Sequence, residues 1–219
     1  MKRYAFVAGM CLTAVLAGSS PALAQVAPPP SDSKFYADFN FGPTLGHKSS
    51  GFYGVEAGLK LNADLDVIID ISHMNNVGTT DLDNNAQVIA NYLGGTQSSA
   101  FVTTHGAVGI RYHMEATPMI HPYALAAVGI ASVRTEVVFT VNSAVVDPAT
   151  KNVQLGGDLS GTANKTILVF GFGVNVPFME RYFADLGYRY GQILANTSNV
   201  ENDKSIPTQR IMLGVGVRF

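Results

Sequence analysis

Arg210-Ile211-Met212-Leu213-Gly214-Val215-Gly216-Val217-Arg218-Phe219 closes the chain. Ile211, Leu213, Val215, Val217 and Phe219 fall on alternate positions, with Arg210, Met212, Gly214, Gly216 and Arg218 between them. Successive side chains of a strand point to opposite faces. A period of two held this long therefore reads as a strand with one greasy face and one face of small and charged residues.

The same period recurs upstream, giving eight alternating segments in all. Phe35, Ala37, Phe39 and Phe41 alternate with Tyr36, Asp38, Asn40 and Gly42. Tyr53, Val55, Ala57, Leu59 and Leu61 stand against Gly54, Glu56, Gly58, Lys60 and Asn62. Leu65, Val67, Ile69 and Ile71 stand against Asp66, Ile68, Asp70 and Ser72. The fourth segment sets Val102, Thr104, Val108, Ile110 and Tyr112 against Thr103, His105, Gly109, Arg111 and His113. The sixth has Leu168, Phe170, Phe172, Val174 and Val176 against Val169, Gly171, Gly173 and Asn175. The seventh has Ala184, Leu186, Tyr188 and Tyr190 against Phe183, Asp185, Gly187 and Arg189. The fifth, about Pro122 to Arg134, leaves two faces open: Tyr123, Leu125, Ala127 and Val133, or Ala124, Val128 and Ile130.

The joins alternate in length. Asn62 to Asp64, Met114 to His121 and Pro177 to Arg181 are short. Met74 to Ala100, Thr135 to Lys165 and Gly191 to Pro207 are long and rich in Asn, Thr, Gly and Ser, while Gly46 to Gly51 is brief. Ala86 to Leu93 reads equally as a short helix or a strand extension.

Two features set which face looks outward. The polar face carries many glycines, among them Gly54, Gly58, Gly109, Gly171, Gly187 and Gly214, and small residues fit the narrow lumen of an eight-stranded barrel. The apolar face is bulky and uncharged, a patch that soluble proteins avoid in water and that acyl chains require. A closed sheet satisfies every backbone N–H and C=O, as a lipid environment demands. The expected fold class is all-β: an eight-stranded antiparallel up-and-down transmembrane β-barrel. Phe35, Tyr53, Tyr112, Tyr123, Tyr182, Tyr190 and Phe219 near strand ends are candidates for interfacial aromatic girdles.

Composition agrees. The chain is 47% hydrophobic and only 14% charged, against about a quarter charged in ordinary soluble domains. Its net charge of −2 excludes a simple electrostatic nucleic-acid binder. Lys2 and Arg3, an apolar run from Tyr4 to Ala17, and Ala22-Leu23-Ala24 form the three-part layout of a secretory signal peptide. The expected organisation is a signal peptide over 1–24 cleaved after Ala24, a linker over 25–33 containing Pro28, Pro29 and Pro30, and one barrel domain over 34–219. Cleavage removes the single cysteine, Cys11.

The terminal run resembles the C-terminal assembly signal of Gram-negative outer-membrane proteins, with Ile211, Leu213, Val215, Val217 and Phe219 in the diagnostic positions. The whole resembles the OmpA/OmpX-like eight-stranded outer membrane β-barrel, or porin-like surface-antigen, group. Pro122-Tyr123 opening a Gly/Ala-rich segment is similar to that group too. The resemblance implies residence in the bacterial outer membrane, contact with outer-membrane lipid and lipopolysaccharide, and delivery by the barrel-assembly machinery. It implies a monomer, with a structural or surface-exposed role in adhesion or as an antigen. The alternative is a narrow pore for ions or small polar solutes.

The inward set holds Asp38, Glu56, Asp66, Asp70 and Asp185 against Lys60, Arg111, Arg189, Arg210 and Arg218. Such groups tolerate enclosure only when paired and hydrogen-bonded, so a charge network filling the lumen is expected. No cofactor, metal or catalysis is expected. His73-Met74-Asn75-Asn76 is faintly similar to the His-x-Ser-Asn motif of lipid A deacylases, but Asn75 stands where a nucleophilic serine belongs. His105, His113 and His121 recur every eight residues without a tight pair, and Asp81 to Asn85 lacks the glycine and bidentate glutamate of a calcium loop.

Overall fold

The computed structural model describes residues 33–114, 120–153, 161–195 and 205–219. The expected signal peptide and most of the expected linker lie outside them. The strands are β1 (Phe35–Leu45), β2 (Ser50–Lys60), β3 (Leu65–Met74), β4 (Thr96–His113), β5 (His121–Val141), β6 (Ala144–Val146), β7 (Gly161–Pro177), β8 (Tyr182–Ile193) and β9 (Ile206–Arg218). One helix, α1 (Thr80–Tyr92), lies between β3 and β4.

The sheet runs β4-β3-β2-β1-β9-β8-β7-β5, and β4 pairs with β5 to close it. All pairings are antiparallel. The eight long strands form the barrel, and β6 is a short addition beside the end of β5. Register fixes the shape. Asp38 pairs with Glu56, Glu56 with Asp70, Asp70 with Ala107 and Ala107 with Gly129. The row continues through Ile167 and Ile193 to Ile206, whereas Asp38 itself pairs with Gly216, ten residues further along β9. A shear of ten over eight strands tilts them about 40° and gives a barrel radius of roughly 8 Å.

Phe39, Val55, Ile69, Val108, Val128, Phe170, Leu186 and Val215, one from each barrel strand, are each 50–55% exposed, while the alternate positions turn inward. The open choice in β5 resolves with Tyr123, Leu125 and Val133 buried and Val128 and Ile130 outside. Both faces of β5 are apolar because its inner face lines an apolar part of the lumen, which is why alternation could not orient it. Tyr123 is therefore not a girdle residue: it is 1% exposed, inside the barrel.

Two of the long joins contain more regular structure than their composition suggested. β4 and β5 are 18 and 21 residues long against 11 for β2, so their hairpin overhangs the barrel at the long-loop end. On the outer surface of that overhang Arg134 Nε lies 3.0 Å from Glu136 Oε1, an ion pair suited to water. Asn142 and Ser143, with φ of 49° and 65°, form the tight two-residue turn into β6.

Ala86 to Leu93 is helical up to Tyr92. Ala86 and Ala90, one turn apart, are completely buried and let α1 lie close against β4. Asp81 and Asp83 favour its N-terminal end. Gly94, at φ 72°, ends it: Gly95 N donates to Ala90 O at 2.9 Å and Gly94 N to Asn91 O at 3.1 Å, the Schellman arrangement.

A Cβ built on Gly109 would land on the Ala126 carbonyl and the Ala127 side chain of the next strand. Gly109→Val is expected to destabilise the barrel by about 1–3 kcal/mol. Urea unfolding of the refolded protein in lipid vesicles, followed by tyrosine fluorescence, reads the shift.

Candidate functional site

The lumen contains two buried charge clusters. In the first, Glu56 on β2 receives Arg111 of β4 at Oε1 and Arg189 of β8 at Oε2, the latter at 3.4 Å. Asp185 of β8 lies 3.6 Å from Arg111 Nη2. Tyr123 of β5 joins them: its hydroxyl donates to Asp185 at 2.8 Å and accepts from Arg189 at 3.1 Å. Its ring lies 4.0 Å from the Arg111 guanidinium carbon. Tyr36 also reaches Glu56, at 3.4 Å. In the second cluster Asp70 of β3 holds Arg210 of β9 at 3.2 Å, His105 of β4 at 3.3 Å and the Ser72 hydroxyl at 2.6 Å.

The remaining candidates stand apart. Asp38 accepts from the Asn40 amide at 3.0 Å. Asp66 is 2.6 Å from His113 Nε2, near the short-turn end. Arg218 covers the Phe183 ring at 4.8 Å, and Lys60 is exposed at the end of β2, outside both clusters. Arg210 does not meet Glu56 and Arg111; it belongs with Asp70. Sequence reasoning missed Tyr123, Tyr36, His105, His113, Ser72 and Asn40 as lumen partners. All but Tyr123 occupy positions that the period had already turned inward, so for them the signal was present; Tyr123 is on β5, where both faces are apolar and the period gave none.

The lumen is not ionic throughout. Towards the long-loop end it is filled by Phe52, Met74, Phe101, Val133, Ile167 and Ile193, with Val77 and Ala86 packed on from the α1 segment. The alternation carries no sign of this, because residues of β5 and β7 that pack inward here are as apolar as their lipid-facing neighbours.

Above the apolar part, Asp83 of α1 ties the loops together. It accepts from Lys48 Nζ at 2.6 Å, Ser99 Oγ at 2.6 Å and Gln97 Nε2 at 3.1 Å, and lies 3.2 Å from His47 Nε2. Partial burial pushes its carboxyl up, but the hydrogen bonds from Lys48, Ser99, His47 and Gln97 outweigh that and hold it well below the ordinary carboxylate range. Asp81 to Asn85, which lacked the residues of a calcium loop, is the first part of this helix.

His73 faces outward, with Nδ1 2.8 Å from Thr104 Oγ1 and its ring 5.2 Å from that of Tyr53. Among the described residues no group of three or more His, Cys, Asp or Glu converges to hold a metal. Ile211, Leu213 and Val215 face outward along β9, and Phe219 N donates to Phe35 O at 2.8 Å, joining the two ends of the barrel domain.

A closed eight-stranded barrel with a greasy exterior and a partly ionic lumen defines a transmembrane barrel of the outer-membrane type. Residues 10–219 match the outer membrane protein beta-barrel domain, and the chain belongs to that family of bacterial outer-membrane proteins. Among solved structures, Neisserial surface protein A (NspA) is similar over 85% of this chain and 98% of its own, at 18% identity and a TM-score of 0.52. The N-terminal β-barrel domain of Pseudomonas aeruginosa OprF matches over 85% and 98%, at 17% identity and a TM-score of 0.48. Ail, the attachment invasion locus protein of Yersinia pestis, matches over 85% and 97%, at 14% identity and a TM-score of 0.45. No curated protein matches the chain.

Glu56→Leu leaves the Arg111 and Arg189 guanidinium groups without their shared carboxylate. A loss of about 3–5 kcal/mol in urea unfolding is expected, and Glu56→Leu combined with Arg111→Met should cost less than the sum of the two alone. Because folding lowers the Asp83 carboxyl, its stabilising effect is complete above about pH 4, the unfolded value, and is lost as pH falls through the lower folded value. Hydrogen-exchange protection of the α1 amides, corrected for intrinsic rate, should therefore hold from neutral pH to about 4 and then fall. Asp83→Asn should remove that dependence.

Proposed function

We propose that this protein is a non-conducting, surface-exposed component of the outer membrane whose long-loop end forms a rigid recognition platform. The supporting observation is the filled lumen. Arg111, Arg189 and Arg210 are at most 2% exposed, and Phe101 and Ile167 above them are 1% exposed. A barrel of about 8 Å radius is just wide enough for side chains to fill, and Glu56 of β2 meets Arg189 of β8 across it, as Asp70 of β3 meets Arg210 of β9.

Long loops of outer-membrane barrels face the exterior. Here α1, the β4–β5 overhang and the Asp83 hydrogen bonds give the described part of that surface a fixed geometry, and recognition sits on loops held by a rigid scaffold. Attachment to a host surface or display as an antigen fits such a platform. We place the protein as a monomer among outer-membrane lipids and lipopolysaccharide, delivered by the barrel-assembly machinery through its terminal alternating strand.

The refolded protein in planar bilayers should give no discrete single-channel steps across the physiological salt range. Reproducible steps would overturn the reading in favour of a narrow pore for ions or small polar solutes.

A further inference from the structure

A cavity of about 220 Å³ opens at the long-loop end. Three segments line it: the end of β1 and the join to β2 (Thr44 to Lys48), the approach to α1 (Asn76 to Thr80), and the start of β9 (Pro207 to Gln209). None belongs to the two charge clusters, and Val77 alone also packs on the apolar filling of the lumen. The inference concerns this surface alone and stands whether or not the lumen conducts.

Its size restricts the ligand. The volume lies below the ~300 Å³ at which pockets for drug-sized molecules begin, yet equals about seven waters at ~30 Å³ each. A single small ring fits it. Its chemistry is that of hydroxyls and amides: Thr44, Thr79, Thr80 and Thr208, with Asn76 and Gln209. A threonine hydroxyl retains acceptor lone pairs after donating once. Thr208, which donates to Gly191 O at 3.2 Å, therefore still offers an acceptor, whereas Thr44 is taken up by Ser50. The Asn76 and Gln209 side chains contribute their amide N–H groups, because Asn76 Oδ1 accepts from Gly78 N at 2.9 Å and Gln209 Oε1 from the Tyr188 hydroxyl at 2.9 Å. Leu45, Val77 and Pro207 supply an apolar patch for the C–H face of a ring.

Charge then decides between ligand classes. The two basic lining residues, His47 and Lys48, are both engaged by Asp83. The N-terminal turn of α1, which would otherwise attract an anion, carries Asp81 and Asp83. An incoming sulfate or phosphate would meet carboxylates and cations already neutralised.

We infer that this cavity binds one neutral sugar ring, such as the terminal unit of a glycan. The full refolded protein in micelles is tested by saturation-transfer NMR. The probes are the methyl glycosides of glucose, galactose, mannose and N-acetylglucosamine, with inorganic sulfate and methyl glucoside 6-sulfate as comparators. At least one neutral glycoside should bind at millimolar concentration. Thr80→Trp, which fills the exposed rim, and Gln209→Ala should each weaken it at least fivefold while heat-modifiable migration on gels stays unchanged. Absence of transfer from all four glycosides would overturn the inference. So would binding indifferent to both substitutions, or displacement of the bound glycoside by sulfate.

Discussion

Hydrocarbon offers no hydrogen bonds, so every amide and carbonyl in the span must find its partner within the sheet. Closure follows from that demand, and closure at eight strands with a shear of ten sets a narrow bore. The bore in turn governs which side chains can point inward. Long ones need small ones beneath them. The Tyr36 ring lies over Gly58, Phe183 over Gly216, and the Arg189 stem over Gly171. The glycines of the inner face are thus the hollows into which the lumen's largest residues fold.

Two solutions to filling the bore are stacked in one molecule. Around the first cluster, Glu56 and Asp185 receive two guanidinium groups, and Tyr123 contributes both a hydrogen bond and a ring surface. Towards the loops the interior resembles a soluble protein's core, with Phe101, Ile167 and Ile193 packed under Val77 and Ala86. The change coincides with the place where the barrel acquires a covering element. Once α1 and the overhanging hairpin exclude water, ordinary apolar packing is stable on the inside too.

The architecture was legible in the sequence because lipid imposes a strict period, and Phe35 to Phe41 or Ile211 to Phe219 can satisfy it in only one way. Legibility failed where the period carried no contrast. In β5 both Tyr123 and Val128 sit in apolar surroundings, so alternation could not say which looked inward. It failed again in the loops. Ala86 to Leu93 fits two periods, and what selects the helix is the burial of Ala86 and Ala90 against β4 with the Gly94-Gly95 stop. The ionic residues were recognisable as an inward set. Their partnerships were not, because a strand's period says nothing about which wall lies opposite. Tyr123 as the link between Asp185 and Arg189 follows only from register.

The opposing walls are also far apart along the chain. Glu56 and Arg189 are separated by 133 residues, Asp70 and Arg210 by 140. Their attraction cannot stabilise an early hairpin; it arrives when the last strand meets the first. A nascent polypeptide halted before Arg210 would keep Asp70 hydrated and its bore ajar. Glu56 can meet Arg111 of β4 beforehand, but Asp70 receives its guanidinium only as the seam completes, and an unfinished molecule is distinguished from a finished one by charge as well as by shape.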